Sequence, residues 1–204
     1  SQILRRFTRE LVAWGGARAA IDWFDALARV KKRETEIASG SRRLLMGTAA
    51  GLFKLMAYKD EYEVARLMTD ADAIALARRV AGRRGRIAWK LHPPLLRSLG
   101  LKRKISFGLW TAPFFKFLAA ARFLRGTISD PFGMAGLRRT ERELPGQYIS
   151  ALERLLICLT PAKLDAAVAL VALPEQIRGY EDLKLERIAG YRKALAAALD
   201  DLES

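Results

Sequence analysis

Apolar residues return at every third or fourth position through most of this chain, and that period admits little except α-helix. Leu11, Trp14, Ala17, Ile21, Phe24 and Leu27 set it first and predict a helix over residues 11–37, ending in the charged run KKRETE. Gly15 and Gly16 weaken its first half, because glycine inside a helix costs about 1 kcal/mol against alanine. SGSRR at 39–43 breaks the pattern, and Ser41 stands ready to cap a second helix over 42–68. Thr69 to Asp72 then supply a fresh N-terminus for a short helix reaching residue 81. Thr111, with Pro113 in the first turn, starts a helix to residue 124 rich in Phe114, Phe115, Phe117 and Phe123. Core packing is the expected use of so many phenylalanines. SDPFG at 129–133 is a turn, and a long helix follows over 135–159, which Pro145-Gly146 should kink or split. TPAK at 160–163 starts another helix, LPEQIRGY breaks it, and residues 181–202 close the chain as a regular amphipathic helix.

Residues 82–108 depart from this rhythm. GRRGRIAWKLHPP and LKRKISFG are basic runs with β-branched and aromatic residues, separated by prolines and by Ser98 to Gly100. They predict two short strands, 86–91 and 102–107, paired as a hairpin. The expected fold is therefore mainly α: a helical bundle with a small two-stranded β-hairpin insertion. The chain reads as one domain in four stretches: an N-terminal helix (1–38), its helical hairpin partner with a short helix (39–81), the basic hairpin (82–108) and the C-terminal helices (109–204).

A chain of 204 residues, 51% hydrophobic, holds one good core or two small ones. Its net charge of +14 points to anionic partners: nucleic acid, acidic protein or membrane surface. The single cysteine, Cys158, excludes an internal disulfide, a cysteine-ligated zinc site and a four-cysteine cluster. It sits in the apolar run 155–159 and reads as a buried structural thiol, and a reducing, cytoplasmic setting fits. The start, SQILRRFTRE, contains no apolar core of a signal peptide. The longest apolar window, 108–124, is interrupted by Lys116, Arg122 and Pro113 and is too short to span a bilayer. The absence of asparagine removes N-glycosylation.

Chemistry-bearing residues are few. His92 is the sole histidine, precedes two prolines, and lies in a stretch, 73–129, with no Asp or Glu to orient it. It reads as a turn residue rather than a general base. No serine has a G-x-S-x-G context, and AGRRGR matches neither the dinucleotide nor the P-loop spacing. The basic tracts form a candidate surface for an anionic partner: Arg83, Arg84, Arg86, Lys90, Lys102, Arg103 and Lys104, with Trp89 and Phe107 interleaved. Such a ribbon can grip phosphates and stack bases; equally, its arginines can meet acidic groups of the same assembly.

The segment FKLMAYKDEYEVARLMTD at 53–70 is the one place where carboxylates enter an apolar pattern. On a wheel of about 100° per residue, Met56, Ala57, Val64, Leu67 and Met68 fall within about 60° of Phe53. Asp60 falls near the middle of that stripe, while Glu63 faces outward and pairs with Lys59 and Arg66 on the surface. Burial of an unpaired carboxylate costs several kcal/mol, so Asp60 is expected to meet an arginine, a lysine or backbone donors from another segment.

The same segment carries a family resemblance. FKLMAYKDEYEVARL resembles the C-terminal region of the long, fused bacterial indolepyruvate ferredoxin oxidoreductases, members of the 2-oxoacid:ferredoxin oxidoreductase superfamily. The likeness runs on through HPPLL (92–96), Phe107-Gly108 with Trp110, LRGT and DPFG (124–133) and LPEQIRGY (173–180), and covers residue 40 to the end. Residues 1–35 fit more loosely, with Trp14-Gly15-Gly16 where the family has a tyrosine-glutamine pair, and Pro145-Gly146 interrupts a continuous helix. The resemblance implies an enzyme that decarboxylates arylpyruvates oxidatively to acyl-CoA and passes electrons through iron–sulfur clusters to ferredoxin. Its thiamine diphosphate and iron–sulfur clusters belong to other domains, since this chain has no Gly-Asp dipeptide, no asparagine and one cysteine. No catalytic, cofactor-binding or metal-binding residue is carried over. The implied role is a C-terminal accessory domain packing on the catalytic domains of the same polypeptide or on a second subunit of a homodimer. Its positive field suits guidance of acidic ferredoxin or of CoA phosphates. A free-standing basic module that binds nucleic acid is the alternative.

Overall fold

The computed structural model describes residues 1–82, 85–91, 105–133, 136–179 and 181–204. Among them are eight α-helices and one two-stranded antiparallel sheet, the mainly helical fold with a small hairpin that the periodicity predicts. The chain, read from its sequence as one domain, divides by its internal contacts into two compact units. Ser1–Tyr58 with Gly126–Ser204 form the first, and Lys59–Arg125 form the second.

The first unit contains α1 (Gln2–Ile37), α2 (Arg43–Met56), α6 (Gly136–Cys158), α7 (Leu164–Ala172) and α8 (Glu181–Glu203). Gly16 interrupts α1 with φ 76° and ψ −174°, a conformation essentially reserved for glycine. The consequence is a change of phase. Before the kink, Leu4, Phe7, Leu11 and Trp14 face the core; after it, Ala19, Trp23, Ala26, Leu27, Val30 and Glu34 do. On a wheel of about 100° per residue that is a rotation of roughly 130°, between one and two residues' worth. Ile21 and Phe24, which an uninterrupted stripe would bury, are therefore about half exposed. Helix α2 threads between its neighbours because it carries glycine where they come closest. A Cβ at Gly51 would lie 2.6 Å from the Val171 carbonyl oxygen and 2.8 Å from Tyr148 Oη. Helix α6 runs through Pro145 without the expected split. Leu144 and Tyr148, on either side of the proline, are buried in the core, and that packing favours a helix continuous through it.

The second unit contains α3 (Glu61–Met68), α4 (Ala71–Ala81), β1 (Ala88–Leu91), β2 (Ile105–Gly108) and α5 (Ala112–Ala120). The predicted helix over 42–68 is in fact two, α2 and α3, separated at residues 57–60. The separation has a cause in the sequence: Asp60 is an N-cap, its carboxylate accepting from the Glu63 backbone N–H at 2.8 Å. Asp70 caps α4 in the same way, through Ala73 N. In the hairpin Trp89 stands opposite Phe107, and both rings meet Phe115 of α5 edge-on, at 5.5 and 5.8 Å between centroids. Phe115, Ala119 and Ala65 form the small core of this unit. Thr111 caps α5 in position only, since its hydroxyl donates back to the Gly108 carbonyl at 2.7 Å.

Candidate functional site

Asp60 is 3% exposed and faces Arg125, whose side chain is 9% exposed. The guanidinium forms a two-pronged contact: Nε donates to Oδ2, and Nη2 donates to Oδ1 at 3.0 Å. Arg125 also lies over the ring of Tyr62, 5.7 Å from its centroid. One carboxylate thus starts a helix, neutralises a buried arginine and fixes a residue 65 positions away. Both oxygens are engaged, Oδ1 by the Glu63 N–H and Arg125 and Oδ2 by Arg125, the arrangement of a structural ion pair. Glu63, expected on the surface, is 7% exposed and grips Arg66 through Nε and Nη2 at 2.8 and 2.7 Å. Lys59 precedes α3, so the i,i+4 geometry assumed for Lys59 and Glu63 does not exist.

Other buried carboxylates in the first unit are used alike. Glu34, in the charged run KKRETE, is 1% exposed and caps α2 from the end of α1. It accepts from the backbone of Leu44 and Leu45, both at 2.9 Å, and from Ser41 Oγ at 2.7 Å. The predicted capping serine thus orients the real cap. Asp130 folds the DPFG turn by accepting from Gly126 N and Phe132 N, with Arg142 beside it. Glu141 is held by Arg138 and Lys184. Tyr148 donates to the Val171 carbonyl at 2.8 Å, and burial raises its pKa well above the ordinary phenol value.

Of the basic surface, Arg86 and Lys90 are exposed beside and on β1. Arg83, Arg84, His92, Lys102, Arg103 and Lys104 lie outside the described residues. The interleaved aromatics are not a free stacking platform, because Trp89 and Phe107 pack on Phe115. Exposed aromatics stand elsewhere, and against expectation. Trp110, Phe114, Phe117 and Phe123 are 82, 62, 73 and 75% exposed, and of the four phenylalanines in 114–123 only Phe115 enters a core. Helix α4 has no buried residue at all, and Leu76 and Val80 point outward from it.

A shallow depression in the first unit is lined by Glu175, Gln176, Arg178, Gly179, Leu183 and Arg187. Lys54 donates to the Glu175 carbonyl there at 2.9 Å, and burial, with Arg178 nearby, lowers its pKa. Cys158 is half-buried rather than buried, its thiol near the Leu155 carbonyl. Among the described residues no group of His, Cys, Asp and Glu is arranged to hold a metal ion, and no helix is long and apolar enough to cross a membrane.

The match to a family model covers residues 1–197. The chain belongs to the DUF6537 family. This is a family of unknown function, so membership fixes kinship without activity. No curated protein and no solved structure matches the chain.

Sequence reasoning passed over two structural residues and one surface. Glu34 was hidden in a charge run, although its place ten residues before Leu44 was compatible with a cap from a preceding helix. Arg125 was hidden because nothing in LRGT marks an arginine as buried. The aromatic surface was hidden because exposure and burial of phenylalanine leave the same periodic signature.

Proposed function

We propose that the chain is a non-catalytic accessory domain of an indolepyruvate ferredoxin oxidoreductase, acting in assembly or partner docking. The enzyme would carry out oxidative decarboxylation of arylpyruvates to acyl-CoA in the cytoplasm, with thiamine diphosphate and iron–sulfur clusters in its other domains. The observation that carries the supporting role is the engagement of Asp60 by Arg125. The two residues belong to FKLMAYKDEYEVARL and LRGT, the segments on which the resemblance rests, and their joint use is architectural. The buried Glu34, Glu63, Asp130 and Glu141 are occupied in the same manner.

Turnover decides this reading. The chain incubated with indolepyruvate, thiamine diphosphate, CoA and ferredoxin is expected to reduce no ferredoxin, and turnover by the chain alone overturns the proposal. Its gene is expected to run in frame after Gly-Asp-Gly and cysteine-rich coding segments. A stop codon immediately upstream leaves the second reading, a basic module that binds nucleic acid. The run of thirteen Lys and Arg without one acidic residue over 73–129 favours that second reading. Salt-sensitive retention on DNA or RNA, lost on neutralising Arg83, Arg84, Arg86 and Lys102 to Lys104, is its signature. The role in steering ferredoxin or CoA falls if the chain binds neither at low salt.

A further inference from the structure

We infer that the outward face of α5, Phe114 and Phe117 with Trp110 before them and Phe123 after, is a docking face for a protein surface with an apolar centre and an acidic rim. The helix is apolar on both sides. Phe115 and Ala119 fill the core of the second unit, while Phe114 and Phe117, three residues apart, face away from it. A helix that is hydrophobic all round belongs between two packed layers, and among the described residues only the Phe115 and Ala119 side of α5 enters a core. Each of the four aromatic residues is at least 62% exposed, and aromatic surface left open in this number marks a site to be covered. Trp and Phe with arginine at the margin is the composition of an interface hot spot.

Charge selects the occupant. Lys116 and Arg122, both exposed among the rings, enter no ion pair among the described residues, and the surrounding stretch 73–129 contains nine arginines, four lysines and no acid. Arginine forks match carboxylates in pairs, and an apolar face with two cations among its rings suits a protein surface with carboxylates at its margin; bases also stack on such rings, so a nucleic-acid strand is an arm of the test. This inference stands apart from the oxidoreductase reading, because a partner of any activity with such a surface satisfies it.

The test uses the whole chain and a designed helical peptide with a leucine stripe flanked by glutamates, beside the same peptide with lysines for glutamates. The glutamate peptide is expected to bind at least about tenfold more tightly at low salt. Phe114→Ser with Phe117→Ser should weaken it by about tenfold or more, and Lys116→Glu with Arg122→Glu by a smaller factor while steepening its loss in salt. Circular dichroism of each variant checks that the helices remain. Equal binding of both peptides, no binding of the glutamate peptide, or indifference to the phenylalanine changes overturns the inference. So does preferential binding of phosphatidylserine vesicles or of an oligothymidine strand through the same phenylalanines, which would make the face a lipid or a nucleic-acid surface.

Discussion

The two units draw on one amino-acid composition and spend it differently. In the first, Trp23, Tyr148, Tyr191 and a set of leucines are wholly enclosed by five helices, and twenty-one basic residues are offset by seventeen acidic ones. In the second, among the described residues, three form the buried apolar core and four aromatic rings are exposed, and its sequence sets fifteen basic residues against five acidic ones. The first unit also exposes large apolar residues, but they are mostly aliphatic and spread along the chain, among them Ile3, Ile21 and Ile157, and its charges nearly offset. A unit with aromatics outside and a surplus of one charge is built to be covered. The Asp60–Arg125 pair helps so small a core hold shape, by joining the second and last residues of the second unit's own chain segment.

Substitutions at two phenylalanines two positions apart break or sharpen this contrast most strongly. Phe115→Ala should cost about 3–5 kcal/mol, whereas Phe117→Ala should change stability by no more than about 0.5 kcal/mol, both read from urea unfolding. Similar costs for the two would erase the distinction between a covered and an uncovered face. Arg125→Ala leaves a buried carboxylate unpaired and should also cost about 3–5 kcal/mol. Its mark should be local: hydrogen exchange accelerates across α3 while the amides of α2 stay protected. In the first unit the sensitive point is a close approach. Gly51→Ala drives a methyl group against the Val171 carbonyl and should cost about 1–3 kcal/mol, a loss that an open packing there would not produce.

A smaller effect separates two buried phenols. Tyr148→Phe removes a hydrogen bond to Val171 and should cost about 1 kcal/mol. Tyr191 Oη has no hydrogen-bond partner among the described residues, so Tyr191→Phe should cost less or nothing. Both phenols have pKa values raised chiefly by burial. Their neutral form stabilises the fold fully below about pH 10, the unfolded phenol value, and that stability drains away as pH rises towards the higher folded values. The midpoint of urea unfolding should therefore fall above about pH 10, and Tyr148→Phe should flatten the fall. A midpoint insensitive to that substitution would mean that the phenol is wetter than its surroundings imply.

Much of this was legible from residues alone. The helical period, the breaks at 38–42 and at 173–180, and the two strands follow from local chemistry: side-chain spacing, caps, prolines and glycines act within a few residues of themselves. The burial of Asp60 was also readable, because a carboxylate amid apolar neighbours demands a partner. Its route was not: the wheel assumed an unbroken helix through residues 57–60, and Asp60 reaches burial as the cap that begins a new one.

The sequence by itself determined that this protein is mainly helical, carries a basic hairpin and must neutralise Asp60. Only the tertiary structure decided that Arg125 does so, that Glu34 caps a helix other than its own, and that Phe115 turns inward while Phe114 and Phe117 turn out. The reason is physical. Period and capping are properties of neighbouring residues, but which side of an apolar helix is covered depends on what chain arrives from far along the sequence, and no local pattern records that arrival.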